Sequence, residues 1–265
     1  MARNRIGTLP VWALVPLTSI CCSGLDTEGV RAREVPELPT AYTLLASHTG
    51  SPLVPSGWVT NSDGTSGVTV VDDPQAPTSP SSVMRVNYPA GMRDGSAPVG
   101  LEFPGTYGVG RLFITYWFKY NPTFQGHDSS INKHIFVFGQ NGTVLVHSEL
   151  RFIGNVPQGN MDWQFQGGMA APTYDKRLVD TYGGNQLMIF KDQWHRVSFE
   201  LIYGSNSTGI VRAWVDGVKV GEITNANFAT EIGVVKIDPT WGGNSGDIMT
   251  QAGFLDFDEV RFYTQ

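Results

Sequence analysis

The stretch DQWHRVSFELIYGSNSTGIVRAWVDGVKVGEI, residues 192–223, carries the alternation that decides the fold. Val197 and Phe199 alternate with polar neighbours, and a second alternating run follows a polar loop. Asp216-Gly217 then supplies the positive φ angles that a two-residue hairpin needs. Consecutive antiparallel strands of this kind predict an all-β protein, and we expect an antiparallel β-sandwich.

The composition fits many short strands joined by turns. Of 265 residues, 31 are Gly and 16 are Pro, while aromatic residues make up 11% and charged residues only 16%. A chain this apolar and aromatic does not have the composition of a disordered protein. The formal net charge of −6 argues against nucleic acid or an anionic membrane surface as the main partner.

Turn residues divide the chain beyond residue 40 into short apolar runs, with no second linker. Arg111–Tyr120 (RLFITYWFKY) is apolar on both faces, which predicts a central strand covered on both sides. So many strands predict one sandwich or jelly-roll domain over residues 40–265. The other predicted strands are 68–71, 83–88, 99–103, 134–138, 144–152, 161–166, 188–190, 196–202, 210–215, 218–223 and 254–263.

The N-terminus is typical of an export signal, because two arginines precede a short apolar run at residues 11–22. We assign residues 1–24 to a signal peptide and residues 25–39 to a solvated tether. Cys21 and Cys22 leave two alternatives open, a bacterial lipoprotein anchored through one of them or plain secretion. In both cases we expect a secreted or cell-surface protein. No feature of the sequence indicates an oligomeric state.

Four segments resemble a known superfamily. They are QWHRVSFEL (193–201), GIVRAWVDGVKV (209–220), FLDFDEVRFY (254–263) and YWFKYNPTFQGHDSSINKHIFVF (116–138), together roughly half of the chain. They are similar to the concanavalin A-like lectin/glucanase superfamily, and within it to heparin lyase I-like bacterial polysaccharide lyases. The resemblance implies a jelly roll that engages polysaccharide. It does not choose an activity, because the superfamily mixes lectins, hydrolases, lyases and adhesive modules.

Two predicted strands place polar side chains at alternate positions, as the floor of a glycan groove would require. His147, Glu149 and Arg151 share one face of the first strand, and Gln164 and Gln166 share one face of the second. If the two faces join on one sheet, these five residues form a polar patch. An ordinary solvated sheet face is the alternative.

Two loops add further candidates. His127 lies in a Gly-bounded loop, where we expect exposure, and Asn132 and Lys133 follow it. Lys133 is either a rim charge or a partner for a uronate carboxylate. Tyr174 and Tyr182 lie in the polar loop 167–186, which either closes over a groove or is plain surface.

A polysaccharide lyase removes the proton α to a uronate carboxylate, so it needs a base and a group that neutralises the carboxylate. The types present suffice, with histidines and tyrosines for the first role and Arg, Lys, Gln and Asn for the second. The predicted catalytic residues are His127, Lys133, His147 and Arg151. The predicted substrate-binding residues are Asn132, Glu149, Trp163, Gln164, Gln166, Tyr174 and Tyr182.

The tryptophans fall into two groups. Trp194 and Trp214 lie in apolar strands, so we expect them in the core between two sheets. Trp58, Trp163 and Trp241 lie near Gly- and Asn-rich turns and are better candidates for stacking on a sugar ring.

The carboxylates give little support for a glycosidase. No strand carries the Glu-x-Asp-x-(x)-Glu run through which the retaining glucanases of this fold resemble one another, a run that places nucleophile and acid on one face about 5 Å apart. Asp256 and Asp258 share a face of the last strand and are either solvated carboxylates or ligands of a structural Ca²⁺ ion. No cofactor is required by the chemistry considered.

The sequence thus predicts an exported polysaccharide-active protein. A lyase that cleaves a uronate-containing polymer by β-elimination is the first hypothesis. A non-catalytic glycan-binding module and a surface adhesive or structural protein are the alternatives.

Overall fold

The computed structural model describes residues 41–61 and 63–265, which fall in one compact unit. The predicted signal peptide, tether and both cysteines lie outside the described residues. No helix in the described part is long and apolar enough to cross a membrane. The strands are β1 (Thr43–His48), β2 (Val59–Thr60), β3 (Val68–Val71), β4 (Val83–Tyr88), β5 (Leu101–Phe103), β6 (Arg111–Tyr120), β7 (Asn132–Gly139), β8 (Val144–Arg151), β9 (Gln158–Phe165), β10 (Met188–Phe190), β11 (His195–Ile202), β12 (Gly209–Val215), β13 (Val218–Ala226), β14 (Ile232–Ile237) and β15 (Gly253–Thr264).

The strands form two antiparallel sheets, which confirms the predicted sandwich. The eight-stranded sheet has the order β13-β12-β11-β6-β15-β4-β3, with β1 also pairing with β15. The seven-stranded sheet has the order β10-β9-β8-β7-β14-β5-β2. Neighbours far apart in sequence, such as β6 and β15, are joined in the manner of a jelly roll. One α-helix, α1 (Leu178–Tyr182), and a 3₁₀ turn at Pro104–Thr106 complete the described elements.

The hairpin that decided the fold class is formed as predicted. Asp216 has φ 49° and Gly217 has φ 78°, the positive pair that a tight turn between β12 and β13 requires. Strand β6 is central, between β11 and β15. The prediction missed β1, β2 and β14, since β2 is two residues long and β14 begins Ile-Gly, which lacks the alternation that marks the other strands.

The tryptophans are placed opposite to the prediction. Trp58, Trp163 and Trp241 are buried, so the stacking roles predicted for them are wrong. Trp163 shares its parity with the core side chains of β9 and packs edge-on against Phe199 at 6.2 Å. Trp241 donates its indole N–H to the Gln125 carbonyl at 2.8 Å.

Trp194 and Trp214 are half-buried and lie away from the core. Trp214 has the strand parity of Arg212, so it faces outward from the eight-stranded sheet and packs against Phe113 at 6.0 Å. Trp194 covers Lys119, whose ammonium lies 5.1 Å from its ring centroid. The expectation of core positions is therefore wrong for both, because apolar neighbours did not reveal the side of the strand.

A hydrogen-bonded polar chain crosses the interior between the sheets. Tyr116 and Tyr120 of β6 bond the two ring nitrogens of His134 on β7, at 3.1 and 2.9 Å. Tyr116 also bonds Ser148 of β8 at 2.9 Å. Burial lowers the pKa of His134 to about 3, so the ring is neutral and donates at one nitrogen while it accepts at the other. The chain satisfies buried groups from both sheets at once.

The predicted calcium pair is already engaged in the fold. Asp256 accepts two hydrogen bonds from Arg85, at 2.7 and 2.8 Å. Asp258 accepts the backbone N–H groups of Thr78 and Ser79. No group of three or more His, Cys, Asp or Glu side chains in the described residues has the arrangement of a metal site. The donor set at Asp256 and Asp258 therefore does not fit a calcium ion.

The buried histidine predicts a pH dependence of stability. An unfolded His134 binds a proton below its ordinary pKa of 6.5, whereas the folded one does so only near pH 3. Between these values the unfolded state holds more protons, so the free energy of unfolding should fall by ~1.4 kcal/mol per pH unit as the pH drops.

Urea unfolding of the wild type and of His134→Gln between pH 7 and pH 5 measures this effect. We expect the wild type to lose about 2 kcal/mol more than the variant across this range. Equal slopes for the two proteins would contradict the assignment.

Candidate functional site

Strands β7, β8 and β9 place polar side chains on the outer face of the seven-stranded sheet. Cross-strand partners share a face, and the register pairs His147 with Gln164 and Glu149 with both Lys133 and Asp162. The predicted faces of β8 and β9 therefore join on one sheet. We call this surface the charged face, and its members are Lys133, His147, Glu149, Arg151, Asp162 and Gln164.

Glu149 is the centre of the charged face and has no exposed surface. Its Oε2 accepts a hydrogen bond from His147 Nε2 at 3.1 Å, and its Oε1 accepts one from Arg177 Nε at 2.9 Å. Burial opposes ionisation, but the hydrogen bond from His147 and the charge of Arg177 together hold the pKa of Glu149 below its usual range. Glu149 is thus a buried anion that organises two donors, and it is not free to bind a ligand.

His147 lies fully beneath the charged face. Burial lowers its pKa, so the ring is neutral, with the proton on the nitrogen that donates to Glu149. Its other nitrogen, Nδ1, is buried and has no hydrogen-bond partner among the described residues. Phe136 packs against the ring at 5.1 Å. The predicted catalytic histidine is therefore in the neutral form that a general base requires, but it is buried, so a polymer on the surface does not reach it.

Lys133 is the accessible cation of the charged face. It is half-buried, and no carboxylate of the described residues lies within ion-pair distance of its ammonium group. Burial lowers its pKa, while the more distant charges of Glu149 and Asp238 act in the opposite sense. The only ring near the ammonium is that of Phe136, 5.9 Å away among the described residues. Lys133 therefore has a donor group that is available to a ligand.

Arg151 lies at the end of the charged face and is surrounded by acids. It forms an ion pair with Asp180, and it lies 3.8 Å from Asp162 and 4.0 Å from Glu149. Arg151 also lines a cavity of about 490 Å³ between β8, β9 and α1. Its charge is thus neutralised, which removes the reason for assigning it to a substrate carboxylate.

Two predicted residues support loops and do not belong to the charged face. His127 is fully buried, so its expected exposure is wrong. Its Nδ1 contacts the Ser129 hydroxyl at 2.7 Å and its Nε2 contacts Asp247 at 3.2 Å. Asn132 is buried as well, accepts the His127 backbone N–H at 3.2 Å and donates to the Leu150 carbonyl at 3.0 Å. Neither has an atom free for a base or a substrate contact.

Gly242 explains why the His127 ring fits. Gly242 has φ +72°, and a Cβ placed there would lie 2.2 Å from the imidazole. Trp241 covers the other side of the ring edge-on, with 4.6 Å between the centroids. The loops at 125–132 and 240–247 therefore interlock around His127.

The loop 167–186 approaches the charged face, although its tyrosines are not the groups that do so. Tyr174 is exposed, and Tyr182 is half-buried with its hydroxyl 3.4 Å from the Pro172 carbonyl. Burial raises the pKa of Tyr182. No contact joins either tyrosine to Lys133, His147 or Glu149 in the described residues.

Arg177 is the residue of this loop that the sequence prediction missed. The loop runs along the part of the β9 edge that β10 does not cover, where Phe165 donates its backbone N–H to the Lys176 carbonyl at 2.9 Å. An isolated bridge pairs Arg177 with Gln164, which directs both side chains to the same face. Gln164 is half-buried there. Gln166 lies just beyond β9, half-buried, with its backbone N–H bonded to Leu145.

The comparison with known proteins rests on structure alone. No family model matches the chain, and no curated protein matches it significantly in sequence. The PL-14 alginate lyase from Aplysia kurodai superposes with a TM-score of 0.58 and 13% identity, covering 84% of this chain and 100% of that one. The endo-β-1,4-glucuronan lyase from Trichoderma reesei gives 0.57 and 16%, covering 84% and 96%.

A third solved structure carries a different activity. The carbohydrate esterase from the Shiga toxin-encoding bacteriophage phi24B gives a TM-score of 0.53 and 14% identity, covering 84% of this chain and 99% of that one. At these identities the likeness establishes the fold. The chain has the concanavalin A-like jelly-roll fold that polysaccharide lyases also have, and its chemistry must be argued from its own side chains.

Because Glu149 is a buried anion, its replacement should destabilise the protein more than replacement of an exposed glutamate. Glu149→Gln should lower the free energy of unfolding by about 2–4 kcal/mol, because removing one member of a buried pair leaves its partners uncompensated. Glu222 is the matched control, since it also accepts from two side chains, in its case Arg212 and Lys219, but is partly exposed.

Chemical denaturation of both variants tests this. Glu222→Gln should cost under about 1 kcal/mol, as exposed pairs do. A Glu149→Gln protein as stable as the Glu222→Gln protein would show that the charged face does not depend on the Glu149 charge.

Proposed function

We propose that the charged face binds a uronate-containing polysaccharide and that the protein cleaves it by β-elimination. Lys133 carries the proposal, because it is an accessible cation with a lowered pKa and no ion-pair partner among the described residues. Across β8 from it, Gln164 and Arg177 present further hydrogen-bond donors on the same face. This set combines a group for proton transfer with groups for a carboxylate.

Arg177 and Gln164 are the groups for the substrate carboxylate. Arg177 is 27% exposed and donates its Nε to Glu149, while no described residue accepts from its terminal nitrogens. A carboxylate held there has its charge reduced, which acidifies the carbon-bound proton next to it. Gln164 adds a neutral donor. Its amide nitrogen makes one long hydrogen bond, 3.4 Å to Asp175, and keeps a second N–H for a ligand. The Glu149 anion fixes the orientation of the guanidinium.

Lys133 is the base in this proposal. Its neutral amine takes the proton from the carbon α to the carboxylate, a carbon–carbon double bond forms, and the bond to the glycosidic oxygen breaks. The Lys133 ammonium returns this proton to the leaving oxygen, directly or through water, so one hydroxyl and one unsaturated sugar result and the amine is regenerated. His147 does not touch the substrate, because it is fully buried; it positions Glu149, and through it Arg177.

The fold is compatible with this chemistry. Two of the solved structures that share it are named as lyases of alginate and of β-1,4-glucuronan. Secretion or a lipid anchor at Cys21 or Cys22 remains part of the proposal, since a polymeric substrate of this kind is met outside the cell.

A non-catalytic binding module is the second candidate. The observation that favours it is the complete burial of His147 and Glu149, which leaves the charged face without an exposed histidine or carboxylate at its centre. A binding module needs only the exposed donors of Lys133, Arg177 and Gln164 and no proton transfer.

The direct test is to incubate the purified protein with a panel of uronate-containing and neutral polysaccharides and to follow the ultraviolet absorbance of the unsaturated product. We expect a rise with a uronate polymer only. Lys133→Ala should lower the rate by about 100-fold or more, the usual contribution of a general base. Lys219→Ala, on an exposed lysine of β13, is the control that should keep the wild-type rate.

A flat trace across the panel, with retention of the protein on one immobilised uronate polymer, would replace the lyase by the binding module. If neither product nor retention is observed, polysaccharide is rejected as the partner of this face and the adhesive alternative remains.

The role of Lys133 is separated from simple charge by Lys133→Arg. Arginine keeps the positive charge but does not lose its proton in a protein, so it cannot act as a base. We expect Lys133→Arg to retain polymer binding and to lose activity by about 100-fold or more. For the wild type, the rate should rise with pH through a pKa below the ordinary lysine value of 10.5. An active Lys133→Arg protein would assign Lys133 to the carboxylate instead.

A further inference from the structure

A pocket at the end of the charged face is lined by residues with polar atoms that no described residue satisfies. The cavity of about 490 Å³ lies where β8 and β9 meet α1. Arg151, Asn160 and Asp162 line it from the sheet, and Val179 and Asp180 line it from the helix. Ile153 and Val156 lie at its rim and are 52% and 45% exposed.

Three of the residues that line this pocket each have one buried polar atom without a hydrogen-bond partner in the described structure. These atoms are Arg151 Nε, Asn160 Oδ1 and Asp162 Oδ2. Asp162 as a whole is 1% exposed, and the nearest cationic atom to its Oδ2 is Arg151 Nη1 at 3.8 Å, beyond hydrogen-bond range. A buried polar atom left unpaired costs about 1–3 kcal/mol, so three on one wall indicate a place for an external partner.

The helix fixes the orientation of Asp162. Its other oxygen, Oδ1, accepts the backbone N–H groups of Trp163 at 2.8 Å and Val179 at 2.9 Å. The carboxylate is therefore held from one side, and Oδ2 cannot turn to find a partner of its own. Burial raises the pKa of Asp162, as an oxygen without a donor would lead one to expect.

The unpaired atoms specify the chemistry of the partner. Two acceptors, Asn160 Oδ1 and Asp162 Oδ2, require hydrogen-bond donors, and one donor, Arg151 Nε, requires an acceptor. Adjacent hydroxyl groups on a ring supply both, and the apolar walls at Ile153 and Val156 suit the C–H face of the same ring. A carboxylate does not fit, because Arg151 already faces Asp180, Asp162 and Glu149.

We infer that this pocket binds a neutral sugar residue of the polymer and rejects a uronate. The inference rests on the proposed function in one respect: the pocket adjoins the charged face through Arg151, whose strand neighbour on that face is Glu149. The preferred substrate class is then a heteropolysaccharide, in which a neutral sugar lies near the uronate that Arg177 and Lys133 engage. A polymer made of uronates alone would leave the three atoms unpaired.

The test uses methyl-labelled isoleucine in the full chain, with the Ile153 resonance identified by its loss in Ile153→Val. Methyl glycosides of glucose, galactose and rhamnose are titrated, and methyl glucuronide and glycerol serve as comparison ligands. We expect the Ile153 methyl to shift with at least one neutral glycoside, and to require roughly tenfold more glucuronide or glycerol. The methyl of Ile248, equally exposed but outside the pocket, should not move.

Asn160→Ala removes one unpaired acceptor without touching a hydrogen bond of the fold, and should weaken the neutral glycoside by about tenfold. Lys133→Ala should leave this titration unchanged, so failure of the lyase proposal and failure of this inference give different results. An Ile153 methyl that stays fixed with every neutral glycoside, responds equally to glycerol, or prefers glucuronide would overturn the inference. So would an Asn160→Ala protein with wild-type affinity.

Discussion

The charged face depends on one buried anion. Glu149 has no contact with solvent, so its charge has to be met by donors within the protein. His147 supplies one from its own strand, and Arg177 supplies the other from a loop that is distant in sequence. The loop is thereby held along the edge of β9, where Arg177 points outward and Leu178 inserts into the core. The attachment fixes the position of the guanidinium, and the helix α1, which lines the pocket, begins at the next residue.

The same interaction decides which cations on the face are available. Arg151 and Arg177 both lie within reach of Glu149, and Arg151 meets two further acids. Lys133 interacts with Glu149 only at longer range, so its ammonium has no ion-pair partner among the described residues, while Arg177 gives only its Nε to Glu149. In the two proposals, this pattern separates a part of the face for a carboxylate from a part for hydroxyl groups. This separation comes from the placement of acids rather than of bases.

Strand alternation allowed much of this to be predicted. It gave the sandwich, the Asp216-Gly217 hairpin and the shared face of His147, Glu149 and Gln164 correctly, because side-chain direction in a strand has a period of two. The same alternation places Trp163 with the core side chains of β9, so strand parity, and not proximity to a turn, is the signal in the sequence that decides against a stacking role.

What could not be predicted depends on contacts between distant segments. Arg177 lies in a polar loop with no periodicity, and only the path of that loop along β9 brings it to Glu149. The burial of His127 requires Trp241 and Gly242, which no local pattern connects with it. The pocket is likewise invisible in the sequence, since its unpaired atoms are defined by what the fold fails to supply.

The close fit of Gly242 against His127 also bears on how such a protein can diverge. A side chain at 242 would collide with the imidazole, and the left-handed backbone there disfavours replacement in any case. The two loops that meet at this point can therefore change only together, by paired substitutions. Within the segment 167–186, Gly184 is constrained as tightly, because a Cβ there would lie 2.2 Å from the Val220 carbonyl oxygen, whereas an exposed position such as Tyr174 is not. Natural variation that alters ligand preference should accumulate at such exposed positions, while the 125–132 and 240–247 loops stay nearly invariant among descendants of this chain.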